Sequence, residues 1–171
     1  MVAYEGGRVA TTWETLVDPQ APFAPGNVAV HGIRARDVAG APTFPEVRDV
    51  LVGLLAGRVV AHHSPFDRVA FGKVAARYGL AAIDCRWLDT VKVARRAWPE
   101  SATNGYGLAS LARMLEITFR HHAAAEDARA AGAILVRAGA DTGLSVDDWL
   151  VRVDQPVRPR ARARGVLVGP R

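Results

Sequence analysis

A histidine and an aspartate stand close together in the C-terminal half of the sequence. His122 lies five residues before Asp127, and the residues that follow are small and apolar as far as Ala138. This pattern predicts a helix. A histidine at a helix start and a carboxylate one to two turns in can surround one reacting centre, the imidazole as base and the carboxylate as metal ligand. The same residues alone also fit a loop histidine and a solvated aspartate.

An upstream aspartate favours the chemical interpretation. Asp67 follows a predicted strand at 58–62 and falls in the first turn of the helix after it. Ligands of open α/β sheets bind beyond the carboxyl ends of strands, which is where Asp67 is expected. The structural alternative is an acid that satisfies free backbone N–H groups and the helix dipole. We interpret His62 and His63 as a strand-end pair, because no third imidazole lies at ligand spacing.

The N-terminal region predicts a hairpin and a loop. Val2–Tyr4 and Val9–Val17 flank the turn Glu5-Gly6-Gly7-Arg8, which predicts a β-hairpin. Three prolines between positions 19 and 25 predict an irregular loop. A turn then leads to a short helical segment around 34–38.

The rest of the chain alternates between predicted strands and helices. Thr43, Ser64 and Ser145 are each followed three residues later by an acid, which predicts three capped helix starts. Asp89 is expected to cap a further helix that runs to about Trp98. The remaining expected elements are strands at 58–62 and 86–88 and helices at 108–115 and up to 138. A hairpin followed by alternating strands and helices predicts an α/β domain with a mixed sheet.

Length and composition indicate one soluble domain. The chain has 171 residues, enough for a single sizeable core. It contains no apolar run of membrane-spanning length, so no membrane partner is expected. Its N-terminus lacks the charged and apolar regions of a signal peptide. Cys85 is the only cysteine, which excludes a disulfide framework and a thiolate cluster and fits a cytoplasmic location.

The net charge of +5 comes from the end of the chain. Five arginines and no acid follow Pro156, so 17 basic residues remain to balance the 17 acids of the whole chain. We therefore predict a neutral domain at 1–155 and a basic disordered tail at 156–171. The tail is read as a solvated linker, with non-specific phosphate contact as the alternative.

Six segments, taken in order, carry a family resemblance. They are His31-Gly32-Ile33, Pro42-Thr43-Phe44, Ala61 to Asp67, Leu88-Asp89-Thr90 with Arg95, Arg96 and Pro99, Tyr106 to Leu115, and His122 to Asp127 with Ala124. Together they resemble the motifs of the DEDDh branch of the DnaQ-like (RNase T-type) 3′–5′ exonucleases, and are similar to the proofreading epsilon subunit of bacterial DNA polymerase III. The resemblance covers roughly residues 2–138. It implies a ribonuclease H-like mixed β-sheet flanked by helices.

The resemblance also implies roles for single residues. Asp67 and Asp127 match metal-site acids, and His122 matches the general base that deprotonates the attacking water. Two Mg²⁺ or Mn²⁺ ions are expected in a complete site, since hard cations prefer carboxylate oxygens. The residues expected to contact substrate are His31, Gly32, His62 and Phe66. The implied partners are a nucleic-acid 3′ end, with single-stranded DNA favoured, and a DNA polymerase.

One motif of the family is not found. Relatives carry Asp-x-Glu on a first, central strand, and neither Glu5 in the turn nor Glu14 beyond it can take its place. The fold is therefore expected to lack that strand and to expose an edge. Two ions held by Asp67 and Asp127 alone would be under-coordinated, so we expect little or no catalysis from these 171 residues. Either the start is assigned too late or the gene is truncated.

The leading hypothesis is a 3′–5′ exonuclease domain that removes mononucleotides, with DNA as the expected substrate. The alternative from another class is a non-catalytic nucleic-acid or polymerase-binding module of the same fold. A third hypothesis keeps the enzyme and changes the substrate to short RNA. No residue of this sequence separates the DNA and RNA hypotheses.

Overall fold

The computed structural model describes residues 1–120 and 122–156. Its strands are β1 (Val2–Glu5), β2 (Arg8–Thr12), β3 (Val59–His62) and β4 (Arg86–Asp89). Its α-helices are α1 (Pro25–His31), α2 (Phe44–Leu55), α3 (Phe66–Arg77), α4 (Thr90–Ala97), α5 (Leu108–Met114), α6 (Ala124–Thr142) and α7 (Val146–Arg152), and short 3₁₀ turns cover Ala35–Val38 and Pro99–Thr103. This order confirms the predicted α/β class. In the described part of the chain, no helix has the length and apolarity needed to cross a membrane.

The strands form two separate ribbons. β1 and β2 pair antiparallel, with Val2 opposite Thr12, whereas β3 and β4 pair parallel, with His62 opposite Asp89. Among the described residues no ladder joins the two ribbons, so β1 and β3 each keep one edge without a strand partner. The parallel ribbon is where a site is expected, because ligands collect beyond the carboxyl ends of parallel strands.

Two groups of apolar side chains form the core. The larger group lies between β3, β4 and the helices α4 to α7; its buried members are Leu88, Val93, Ala94, Trp98, Leu108, Leu111, Ala130, Ala131, Ile134, Ala138, Trp149 and Val153. The smaller group centres on α2, where Phe44, Val47 and Leu51 pack against partly buried side chains of Met1, α3 and the loops. Helix α3 contributes little apolar surface to the larger group. Its position therefore depends on its contacts with the smaller group.

Helix α6 contacts both ribbons. On the hairpin side, the Tyr4 hydroxyl donates to the Arg129 carbonyl at 2.7 Å. The Tyr4 ring lies so close to Gly132 that a Cβ there would come within 2.2 Å of Tyr4 Cε2, so only glycine fits. On the other side, Val59 of β3 packs on the cluster that contains Ile134. These contacts fix α6, and with it the first-turn residue Asp127.

Three predicted boundaries were wrong. β2 ends at Thr12 and not at Val17, because Trp13 turns inward to the smaller core. The proline-rich stretch contains a helix, α1, since Pro25 stands at a first-turn position where its missing N–H costs nothing. α6 runs past Ala138 to Thr142, where Gly143 ends it with a φ of +73°. The predicted tail at 156–171 lies, apart from Pro156, outside the described residues.

Candidate active site

The turn between β3 and α3 positions Asp67. β3 ends at His62, and Ser64 takes a φ of +73°, which is unfavourable for a residue with a Cβ. The predicted cap from Ser64 was wrong: Pro65 occupies the cap position and no side chain caps the helix. The reason is that the chain reverses at Ser64, whose carbonyl contacts His62 Nδ1. Asp67 is consequently in the first turn, as predicted, without a capping partner upstream.

The carboxyl group of Asp67 is in an unfavourable setting for its charge. Asp67 retains solvent access as a residue, yet the protein atoms around its carboxyl group displace water and raise its pKa. The negative charge of Asp127 raises the pKa further, while His62, the backbone and His63 oppose the shift. Asp127 is distant in sequence but therefore near enough in the fold to act on the charge of Asp67. A carboxyl group whose pKa is raised by burial and by a neighbouring negative charge is common at functional sites.

The loop before α6 presents His122. It is exposed, directly precedes the helix start and has a φ of +66°, in the left-handed region. Strained backbone of this kind often occurs at functional sites. Asp127 follows in the first turn of α6, where its N–H donates to the Ala123 carbonyl at 2.9 Å. The predicted order of a histidine at the helix start and an acid one turn in is therefore present.

Few side chains of the described residues are candidates for holding a metal ion. They contain no group of three or more histidine, cysteine, aspartate or glutamate side chains arranged to hold a metal ion. Asp67 and Asp127 supply two carboxylates, which fits one hard cation such as Mg²⁺ that keeps water in its other positions. Two ions would need further ligands. The chemistry of this donor set therefore fits one divalent ion.

Two predicted substrate residues precede Asp67 in the sequence and differ in exposure to solvent. Phe66 is 75% exposed and lines a surface groove of about 400 Å³ together with Val69 and Lys73. His62 is buried, and its ring lies edge-on to Trp87 at 5.6 Å. Phe66 is thus free to stack on a base, whereas His62 is engaged by the protein. Their substrate roles stay predictions.

The other predicted substrate residues lie at the end of α1. Gly32 ends this helix with a φ of +76°, and Nδ1 of His31 accepts from the Ile33 N–H at 3.0 Å. His31 lines a cavity of about 360 Å³ with Phe23 and Asn27. Within the described residues no acidic side chain lines this cavity, so it is a separate feature from the Asp67 and Asp127 pair.

Sequence reasoning missed the contacts of His63. Its Nδ1 lies 2.9 Å from Thr90 Oγ1 and its Nε2 lies 3.0 Å from the Tyr106 carbonyl. The ring therefore joins the end of β3 to the start of α4 and to the loop before α5. Two consecutive histidines after a strand were the available signal, but periodicity does not show which of them turns toward α4.

Comparisons with known proteins agree with this architecture. A family model described as "Exonuclease", of the RNase T type, matches residues 1–135. A solved structure of exonuclease X in complex with 5′ overhanging duplex DNA superposes with a TM-score of 0.70 at 22% identity, covering 89% of this chain and 87% of that chain. This likeness confirms the predicted fold class.

Curated relatives match over a small part of their own length. A DNA polymerase III of the PolC type from Caldanaerobacter subterraneus subsp. tengcongensis is 31% identical, over 80% of this chain and 10% of the relative. Another relative is a Mycobacterium tuberculosis protein named as a bifunctional exonuclease/endonuclease. It is 34% identical, over 73% of this chain and 20% of the relative. This chain therefore corresponds to one portion of much longer proteins.

Proposed function

We propose that this chain, which belongs to the RNase T family of exonucleases, hydrolyses phosphodiester bonds at nucleic-acid 3′ ends. The expected product is a mononucleotide, released in the 3′–5′ direction. The expected cofactor is Mg²⁺ or Mn²⁺, and the favoured substrate is single-stranded DNA. The domain proposed to do this is residues 1–155.

One observation carries the proposal: Asp127 lies near enough to Asp67 for its charge to raise the pKa of the Asp67 carboxyl group. Both acids lie in the first turns of their helices, and Asp67 follows the end of β3. A cation near Asp67 would offset the negative charge of Asp127 and so favour the charged form of the Asp67 carboxyl group. The exposed His122, which lies five residues before Asp127, would supply the general base for hydrolysis.

The residues have separate tasks in this scheme. Asp67 and Asp127 would hold the ion, which supplies positive charge near the phosphate and acidifies water. His122 takes a proton from the attacking water as its oxygen bonds to phosphorus. The bond from phosphorus to the 3′ oxygen of the remaining strand breaks, and that oxygen gains a proton from solvent. Phe66 would stack on a base near the 3′ end, since aromatic stacking tolerates every base.

The expected partner follows from the relatives. One of them is a DNA polymerase III of the PolC type, and the match covers 10% of its length. We infer that the domain acts on DNA ends produced by a polymerase. The second candidate function is a non-catalytic nucleic-acid or polymerase-binding module. It is favoured by the shortage of metal ligands, since the described residues contain no group of three or more histidine, cysteine, aspartate or glutamate side chains that could hold a metal ion.

The test is mononucleotide release from oligonucleotides with Mn²⁺. A 3′-labelled and a 5′-labelled single strand, each as DNA and as RNA, report direction and substrate together. Asp127→Ala is expected to reduce any release at least 100-fold, while Asp49→Ala, an exposed acid on α2, is expected to leave it unchanged. Circular dichroism shows whether each variant is folded.

The outcomes separate the two functions. Metal-dependent release lost only in Asp127→Ala supports the exonuclease and contradicts our expectation of little catalysis from this chain. A folded chain that binds the oligonucleotide and releases nothing supports the binding module. A folded chain that does neither contradicts both.

A further inference from the structure

The imidazole of His63 is bonded at both nitrogens. Nε2 lies 3.0 Å from the carbonyl oxygen of Tyr106, and Nδ1 lies 2.9 Å from Thr90 Oγ1. A carbonyl oxygen only accepts, so Nε2 must carry a hydrogen. The contact with Tyr106 thus fixes the tautomer of the neutral ring.

The hydroxyl of Thr90 completes the arrangement. Thr90 is fully buried, and its Oγ1 lies 3.1 Å from the His62 carbonyl as well as beside His63. Nδ1 of a neutral His63 can only accept, so the single Thr90 hydroxyl hydrogen is then shared between His63 and the His62 carbonyl. A protonated His63 would donate to Oγ1 instead, and Thr90 would then donate to the His62 carbonyl. Either way, a hydrogen bond joins His63 to the start of α4.

The segment held in this way is the one that positions Asp67. Ser64, next to His63, is in the left-handed region, and α3 begins without a side-chain cap. A strained turn persists only when its surroundings determine it. His63 supplies part of that determination from two other segments of the chain.

The anchor at Tyr106 is itself fixed. The Tyr106 hydroxyl lies 3.1 Å from the Trp98 carbonyl, and it also reaches the Pro99 carbonyl at 3.2 Å. The guanidinium of Arg95 lies 5.7 Å from the centre of the Tyr106 ring. His63 is therefore attached to a residue that does not depend on the β3–α3 turn for its own position.

We propose that His63 is a positioning residue, which in its neutral Nε2-protonated form holds the β3–α3 turn against Thr90 and Tyr106 and so sets the position of the Asp67 carboxylate. It need not touch substrate or metal. The proposal rests on the proposed function for the metal-binding role of Asp67, but not for the contacts of the ring.

The charges around the ring agree with the neutral form. Burial is the largest influence and lowers the pKa of His63, and the nearby His62 adds to this. The Tyr106 carbonyl, Asp89 at the start of α4, and Asp67 act in the opposite direction. At pH 7.5, above the ordinary histidine pKa of 6.5, the ring is accordingly expected to be neutral.

The first experiment reads the tautomer. Imidazole ¹⁵N shifts of the labelled 171-residue protein at pH 7.5 are recorded by NMR, and His63 is assigned by the signals that vanish in His63→Gln. We expect a fixed ring with hydrogen on Nε2. A ring protonated on Nδ1, or one that averages between the two tautomers, would overturn the proposal.

The second experiment reads the effect on the site. Mn²⁺ affinity, measured by water proton relaxation, is expected to fall about 10-fold in His63→Ala, as for other residues that orient metal ligands. In His63→Gln the side-chain amide can still donate to Tyr106, so the affinity is expected to return to within about 3-fold of the parent. Unchanged affinity in a folded His63→Ala would contradict the proposal.

The experiments distinguish a failure of the metal-binding role of Asp67 from a failure of the positioning role of His63. If the parent protein binds no Mn²⁺, the metal-binding role of Asp67 fails, and amide hydrogen exchange at Phe66 and Asp67 takes over as the readout. Faster exchange in His63→Ala and protection in His63→Gln support the positioning role. Equal exchange in all three proteins overturns it.

Discussion

The helices α3 and α7 begin with similar residues, but their first-turn acids are in opposite electrostatic states. At α7, the Asp148 carboxylate accepts from the N–H of Ser145 at 2.9 Å and from its hydroxyl at 2.6 Å, which lowers the pKa of Asp148. At α3, Asp67 has no such partner in Ser64, and burial and Asp127 raise its pKa. The same sequence signal therefore gives an acid bonded to the cap residue in one place and an acid without that bond in the other.

The difference separates acids that stabilise the fold from acids available for a ligand. α2 repeats the pattern of α7, since Glu46 accepts from the N–H and hydroxyl of Thr43 at 2.7 Å and has a lowered pKa. α6, which carries Asp127, begins without a side-chain cap, as α3 does. Both helices of the candidate site thus depend on packing, not capping, for their position.

The largest effect is expected where packing replaces capping, at Gly132 of α6. Gly132→Ala would place a Cβ within 2.2 Å of the Tyr4 ring, whose hydroxyl is held by Arg129. Alanine favours a helix over glycine by about 1 kcal/mol, but overpacking of this kind costs about 1–3 kcal/mol and should prevail. We expect a net loss of stability in urea unfolding, together with weaker Mn²⁺ binding.

Gly72→Ala is the matched control in α3. A Cβ at Gly72 meets nothing within 4 Å, so the substitution should stabilise by up to about 1 kcal/mol. Equal gains at both glycines would mean that the Tyr4 contact does not position α6.

A smaller effect is expected from the caps themselves. Ser145→Ala should cost about 1 kcal/mol, because it removes a hydroxyl that accepts from the Asp148 N–H at 3.2 Å. Ser64→Ala should cost much less, since Ser64 makes no cap bond. Conversely, Ala123→Ser would add a cap to α6, whose cap residue already has extended backbone, and should gain about 0.5–1 kcal/mol. Similar losses at Ser64 and Ser145 in urea unfolding would contradict the comparison between α3 and α7.

These helix starts show what the sequence could predict. The signals at Thr43, Asp89 and Ser145 depend on residues within one turn, and the structure confirms all three. The signal at Ser64 has the same local form, but the contacts of His62 with Trp87 and of His63 with Thr90 and Tyr106 help to decide the backbone there. Local chemistry cannot contain that information.

The candidate site divides in the same way. The first-turn positions of Asp67 and Asp127 followed from short motifs, and the helix starts agree with them. Their approach to each other, the burial of His62 and the tie from His63 to Tyr106 are tertiary results. The Pro25–His31 helix was missed for a simpler reason: three prolines in seven residues outweigh one favourable first-turn position in any local reading.

The smallest effect, and the most direct test of the comparison, is the pH dependence of stability. A raised pKa means that folded Asp67 binds a proton more tightly than the unfolded chain, so its contribution falls as pH rises from the ordinary value of 3.8 through the folded pKa. Asp148 behaves oppositely: its lowered pKa gives a contribution that is complete above 3.8 and is lost as pH falls through the folded value.

The variants Asp67→Asn and Asp148→Asn should accordingly shift stability in opposite directions. At pH 7, without divalent ions, Asp67→Asn is expected to raise the free energy of unfolding, by less than about 1 kcal/mol because solvent screens the site. Asp148→Asn is expected to lower it, and both differences should shrink toward pH 3. Urea unfolding of the parent and both variants at pH 3, 5 and 7 measures them. With Mn²⁺ present the parent should gain stability that Asp67→Asn does not, because only the parent keeps both carboxylates. A loss of stability in Asp67→Asn at pH 7 without metal would mean that this acid supports the fold as Asp148 does, and the distinction between the two helix starts would be lost.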